Sequence, residues 1–452
     1  MKFFSYTLLI CILLSCSTAF AQHSPLKNER CGFVQAVNNM EAKHPGYINA
    51  MNATLRNLVN DAALRNQNDT IYEIPVVIHI VYSNSDENLH DSLIQNQIAI
   101  LNEDFGKMNS DISQLRPIFD DVVGNPKIQF RLDSIIRVST TAEFSLFDLF
   151  TSTLDSKLKS TSGGGSTAVD PIHHLNIWVC KLGGIPPLVP DDSLLGFSYP
   201  PIGIDQIFPN MWPTDGLNTE IAYDGVVIHY KAFGKNNPYP IVLNGNTIAI
   251  KGRTTVHEVG HFLGLRHIWG DGVNPETGTG DGCAVDDFIA DTPNAFDSNA
   301  TTGCNPNTNS CETTLPNDKP DMWENYMDYS DEPCQVAFTN GQANVMRTVL
   351  SGGPRWALAS RSVVSGTTSP NVDQSSLFSL YPNPSNESVY ISLPSGKWQL
   401  TVTDYMGRNV STQNSVEQNT TMQVSHLQEG IYFVNASNTN GQSISKKLIV
   451  RK

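Results

Sequence analysis

The spacing of apolar and polar residues predicts a series of strands and helices. Ile74-Pro75-Val76-Val77-Ile78-His79-Ile80-Val81-Tyr82 is a β-branched run long enough for a buried strand. Over residues 92–105, Ile94, Ile98, Leu101 and Phe105 recur at spacings of four, three and four. They share one helical face, with Asp91 or Ser92 as the N-cap. Ile128, Phe130 and Leu132 alternate in a second strand over 127–132. Further strands are predicted at 175–182, 194–199 and 225–230, and a helix at 254–264. This order implies an α/β (α+β) domain with a mixed twisted sheet backed by helices. Ser351-Gly352-Gly353-Pro354 and a Ser/Thr/Val tract then predict a linker at 359–377. Short strands at 389–393, 398–403, 431–436 and 447–450 make residues 378–452 a small all-β sandwich.

The N-terminus changes the picture. Lys2, an apolar stretch over 8–14 and Ala19-Phe20-Ala21 form a secretory signal at 1–21, too short for a membrane anchor. A lipoprotein signal ending at Cys16 is the competing reading. Residues 22–70 are polar and Asn-rich, with a helical pattern at 53–64, and are expected to be a pro-segment outside the core. No later apolar run reaches membrane-spanning length. A formal charge of −15 excludes a nucleic-acid-binding or polybasic membrane surface.

Six cysteines lie past the signal. Cys283, Cys304, Cys311 and Cys334 cluster in a Gly/Asn/Asp-rich region, as expected of two disulfides in an exported protein. Spacing alone leaves three connectivities open. Cys180 falls in a predicted strand and is expected to be a buried free thiol.

The chemistry concentrates in His257-Glu258-Val259-Gly260-His261-Phe262-Leu263-Gly264-Leu265-Arg266-His267. His257 and His261, four apart, share a helix face, and Gly264 can end that helix and return the chain to bring in His267. Three neutral imidazoles hold Zn²⁺ and leave a fourth position for water, the pattern of a catalytic site. Glu258, beside the first ligand, is the expected base for that water and the acid for the departing amine. Met327, in Asn325-Tyr326-Met327-Asp328-Tyr329, can form an apolar floor beneath the metal. His79, His173 and His174 are expected to be packing or surface residues.

At these residues the chain resembles the pappalysin family of metzincin peptidases, especially its bacterial cytophagalysin-like members, over about 71–350. The resemblance implies a metzincin catalytic domain at 71–358, with a Met-turn at Met327 and Tyr329 as stabiliser of the tetrahedral intermediate. Arg30-Cys31-Gly32 resembles the family's latency switch, in which Cys31 takes the open zinc position. Asp287-Phe288-Ile289-Ala290-Asp291-Thr292-Pro293 resembles its calcium loop, with oxygens from Asp287, Ala290 and Thr292. The family pattern pairs Cys283 with Cys311 and Cys304 with Cys334. Some relatives place an acid just before the last cysteine to favour basic residues after the scissile bond. That place is Pro333 here, with Asp331 and Glu332 nearby.

Tyr381-Pro382-Asn383-Pro384, Asp404-Tyr405-Met406-Gly407-Arg408, Gly430-Ile431-Tyr432-Phe433-Val434 and residues 446–452 resemble a type A sorting domain of type IX secretion. The expected protein is a secreted or surface-attached zinc metalloendopeptidase made as a latent precursor. Its partners would be protein or peptide substrates and the type IX machinery. Arg56 and Arg65 are candidate cut sites for activation. The alternative, a surface-binding or adhesive protein on an inactive metzincin scaffold, predicts loss of a ligand or of Glu258, and neither is seen.

Overall fold

The computed structural model describes residues 30–64, 70–185, 189–201, 222–243, 245–271, 283, 286–298, 304–311, 319–351, 354–359, 363–364, 379–381, 383–404, 408–438 and 443–452. The chain divides into two compact units, Met1–Gly366 and Thr367–Lys452. The expected signal peptide and Arg65 lie outside the described residues.

In the first unit, α1 (Phe33–Lys43) and α2 (Tyr47–Leu64) precede β1 (Ile71–Tyr82), α3 (Asp91–Phe105) and β2 (Ile128–Ser139). Two short helices, α4 (Leu146–Phe150) and α5 (Leu154–Leu158), lead to β3 (Leu175–Cys180), β4 (Gly196–Ser198) and β5 (Val226–His229). A hairpin of β6 (Ile241–Leu243) and β7 (Asn246–Ile248) then precedes α6 (Arg253–Phe262), α7 (Asn340–Leu350), α8 (Trp356–Ala359) and β8 (Val363–Val364).

The main sheet has the order β2-β1-β3-β5-β4, with β8 also paired to β1. The pairs β1/β2, β1/β3 and β3/β5 are parallel, whereas β4 joins β5 antiparallel, so the sheet is mixed as predicted. Every residue of β3 is buried, as a parallel strand covered on both faces requires. The short strand β4 is an edge.

Three expectations need correction. The N-cap of α3 is His90, whose Nδ1 accepts from the Ser92 amide at 3.2 Å, rather than Asp91 or Ser92. Residues 33–64 do not stand outside the core: Tyr47, Met51, Leu55, Leu58 and Ala62 are buried in the same apolar cluster as β1 and α7. Their spacing of four, four, three and four makes a stripe despite the many asparagines. The connecting stretch also starts later than residue 359, because Val363 and Val364 pair with Tyr72 and Ile71.

Helix α6 is held at both ends. Glu332 accepts from the Arg253 amide at 3.1 Å, and from the Thr254 amide and hydroxyl at 2.8 and 2.7 Å. A carboxylate there meets the unpaired first-turn amides and the positive end of the helix dipole. At the other end Arg355 Nε donates to Phe262 O at 2.8 Å, and its guanidinium lies 3.6 Å over the Phe262 ring while pairing with Asp224. Disulfides join Cys283 to Cys311 and Cys304 to Cys334, the pairing the family pattern implied. Cys180 is a buried free thiol, as expected.

The second unit is all-β, as predicted. It contains β9 (Ser379–Tyr381), β10 (Ser388–Asp404), β11 (Asn409–Gln423), β12 (Gly430–Asn438) and β13 (Ser443–Val450). The pairings between its strands are antiparallel, in the order β11-β10-β12-β13 with β9 on β10, around Val389, Ile391, Trp398, Leu400, Val434 and Leu448, and one parallel bridge joins Ser385 to Val450. They link the five strands into one array rather than two separately paired sheets.

Candidate metal centre

Helix α6 presents His257 and His261 one turn apart. Gly264, at φ +95, turns the chain back in a backbone conformation that favours glycine. His267 thereby returns to the other two. The three Nε2 atoms lie 3.1 Å from one another, the spacing of tetrahedral ligands about 2 Å from one ion. Cys31 Sγ joins them, all four donor atoms lying within 4.8 Å of one another and all four residues being buried.

The donor set suits zinc chemically. His257 Nδ1 faces Tyr326 O at 2.7 Å, and His261 Nδ1 faces Leu265 O at 2.8 Å. Each Nδ1 must therefore carry the proton, leaving the Nε2 lone pairs to face one point. Burial lowers the pKa of His257 to about 3 and that of His261 well below the usual value, so both rings are neutral donors. Burial and the charge of Glu258 push the Cys31 thiol well up. A thiolate there needs a cation beside it.

Glu258 is fully buried, and burial raises its pKa to about 8, opposed by contacts with Cys31 and Ser198. Ser198 Oγ lies 2.8 Å from Glu258 O and 3.1 Å from Oε2, tying the carboxylate to edge strand β4. A Cβ at Gly196 would sit 2.9 Å from Glu258 Cγ, so only glycine lets the strand pass this close. Ser198 was not singled out in the sequence, because its partner lies 60 positions away.

Met327 is buried beneath the site, its sulfur packed against Gly260, where any Cβ would collide with it. Asn325 shapes this turn: its Oδ1 accepts from the Met327 amide at 2.9 Å, and its amide group pairs with that of Gln342. The same turn supplies Tyr326 O to His257. Tyr329 packs edge-on to His267 at 4.8 Å, and its hydroxyl donates to Cys31 O at 3.3 Å.

Residues 30–33 lie along the site. Gly32 N donates to Gly196 O, and Leu195 N to Arg30 O, both at 2.8 Å, so the segment pairs with the strand edge. A side chain at Gly32 would meet Leu149 Cδ2 at 2.7 Å. Phe33 stacks on His261, centroids 4.0 Å apart. Arg30 pairs with Asp331 at 3.0 Å. Neither Phe33 nor the Arg30 partner was anticipated from sequence.

In the expected calcium loop, Asp287 and Thr292 are buried while Ala290 is exposed. Asp287 and Thr292 interact through their side chains, and Asp287 Oδ2, Asp291 Oδ1 and Thr292 Oγ1 are buried oxygens with incomplete hydrogen bonding. His79 bonds Ser166 and Asn176 and stacks on Trp178, while His174 meets Asp133, so these histidines are packing and surface residues.

Residues 224–351 match the family described as pregnancy-associated plasma protein-A, and residues 379–451 match the secretion system C-terminal sorting domain. Promirolysin of Tannerella forsythia, in a mutant form, is 33% identical, with 73% of this chain and 96% of that chain covered at a TM-score of 0.56. Mature mirolysin of Tannerella forsythia in complex with a cleaved peptide is 37% identical, covering 65% and 97% at a TM-score of 0.51. An extracellular metalloprotease of Arthroderma otae is 30% identical over 271 residues, 60% of this chain and 75% of that protein. The sorting-domain match and the extracellular relatives indicate a secreted or cell-surface protein. With the family match spanning the histidine cluster and most of each of these relatives covered, the chain belongs to the pappalysin family of metalloproteases.

Proposed function

We propose that the chain is a zinc-dependent endopeptidase made as a latent precursor. Residues 1–21 are its signal, 22–70 its pro-segment, and the catalytic domain begins at residue 71. A stretch after Val364 connects to the sorting module at 378–452, which hands the chain to the type IX secretion machinery. The carrying observation is the convergence of His257, His261 and His267 with Cys31 of the N-terminal segment, beside a buried Glu258.

Zinc held there supplies a Lewis acid that lowers the pKa of water towards about 7 and polarises a peptide carbonyl. Glu258 takes the proton of the attacking water and passes it to the departing amine nitrogen. Ser198 holds the carboxylate in place. Tyr329 already donates to one main-chain carbonyl, that of Cys31, and would do the same for a substrate carbonyl as charge develops on it. Met327 supports the ligands from below.

The substrate is an extended peptide pairing with β4, as residues 30–32 do. Of the two acids near Pro333, Glu332 is committed to capping α6, whereas Asp331 holds Arg30. That arrangement supports a preference for a basic side chain beside the scissile bond. Asp287, the carbonyl of Ala290 and Thr292 would bind a structural Ca²⁺, which would give the buried oxygens of Asp287 and Thr292 a cation to face.

Latency follows from Cys31 occupying the fourth ligand place. Arg56 is a poor cut site, because it lies within α2 with its guanidinium 4.7 Å over Phe288, and a protease needs an extended strand. Digestion of casein or gelatin by processed wild type and Glu258→Ala tests the reading. Equal activity at equal zinc content refutes it.

A further inference from the structure

His267 is held differently from the other two histidines. His257 and His261 are fixed on α6, and their Nδ1 atoms face main-chain carbonyls that no substitution removes. His267 lies beyond the helix, and its Nδ1 meets a side chain, Asp271 Oδ1. The second oxygen, Oδ2, accepts from the His267 amide at 3.2 Å and lies 3.5 Å from Arg266 Nε. The Asp271 side chain is 5% exposed, in a backbone conformation with φ +54 that Asp tolerates better than most residues.

Aromatic rings supply the other described contacts of the His267 ring beyond the ligand histidines. Trp269 stacks on the ring with centroids 4.3 Å apart and 6° between the planes, and Tyr329 packs edge-on. These contacts fix the ring plane, but neither selects a tautomer nor supplies charge. Among the described residues, Asp271 does both.

We infer that Asp271 is a positioning residue for the third metal ligand and sets how tightly the chain retains zinc. Its carboxylate keeps the proton on Nδ1, aims the Nε2 lone pair at the cluster and strengthens that nitrogen as a donor. Its bond to the His267 amide curls residues 267–271 into a closed turn, compensating for the absence of a helix behind the ligand. The inference rests on the zinc reading above. The competing explanation is that Asp271 merely staples the loop through Arg266.

The test compares the full-length wild type with Asp271→Asn and Asp271→Ala. Zinc affinity is read by competition with a chromogenic chelator, and stability by thermal unfolding of the metal-free proteins. Both variants should bind zinc about 10–100-fold more weakly, with Asn nearer the lower figure because it keeps one acceptor. The metal-free midpoint should stay near wild type for Asn, which can keep the bond to the His267 amide, and fall for Ala, which cannot. Wild-type affinity in the variants overturns the inference. So does a metal-free midpoint that falls while zinc affinity is unchanged, the mark of a loop staple. Should Asp271→Ala not fold, the isosteric Asp271→Asn carries the comparison. A wild type that binds no zinc would instead remove the zinc reading itself, and this inference with it.

Discussion

The two sides of the metal centre are held by different means. On one side, α6 carries His257, Glu258 and His261 from a scaffold capped by Glu332, bound by Arg355 and floored by Met327. On the other, residues 30–33 cross the site through a few main-chain bonds to β4, one sulfur, one stacked ring and one ion pair. No ligand on the helix depends on the crossing segment for its Nδ1 partner or its tautomer. The cover can therefore leave without rebuilding what it covers. What anchors it lies further back, where α2 buries Tyr47, Met51, Leu55 and Leu58 in the core of the first unit.

Four variants separate the two sides. On the scaffold side, Glu258→Ala should lower kcat/KM of the processed enzyme by about 10²–10⁴-fold. Metal analysis should show unchanged zinc, since Glu258 is not a ligand. Replacing Cys304 and Cys334 together by serine should destabilise the first unit by about 2–4 kcal/mol, read by denaturant unfolding, while the precursor stays latent. An active precursor in that variant would mean that the scaffold and the cover are coupled.

On the cover side, Cys31→Ala should raise the activity of the unprocessed chain at least tenfold, about 1.4 kcal/mol of released site, seen as early autolysis in time courses. An unchanged precursor lifetime would argue that Phe33 and α2 suffice for latency. The smallest effect is expected for Asp331→Asn. Its carboxylate is 44% exposed, so the pairing with a cationic side chain is screened and worth about 0.2–1 kcal/mol. Peptides with Arg or Lys after the scissile bond should lose a few-fold in kcat/KM, and neutral peptides nothing. Equal losses for both would remove Asp331 from the specificity pocket.

Much of this was legible in the sequence because it is local. The ligand spacing on α6, the turn at Gly264 and the apolar run of β1 are written within a dozen residues each. Thr339 and Gln342, the reciprocal cap of α7, also carried a local signal, although no helix was predicted there. Other features depend on contacts between distant positions. Ser198 meets Glu258, and Glu332 caps a helix 79 positions earlier, through proximity that only the fold creates. Residues 33–64 were misjudged because polar composition outweighed a stripe visible in the spacing. In the second unit, β11 was missed because Asn409–Gln423 is mostly Ser, Thr, Asn and Gln, with Val416 and Met422 reaching the core too far apart to show an alternation.

The position of Cys334 has a consequence for where this enzyme can exist in working form. It sits two residues past Glu332, and its bond to Cys304 ties down the stretch that steadies the front of α6. In a reducing compartment that tether does not form, and Glu332 keeps its place through its bonds to the amides of α6 and the Arg253 side chain. Export to an oxidising compartment therefore does more than deliver the hydrolase: it closes the bond that braces the front of its active-site helix.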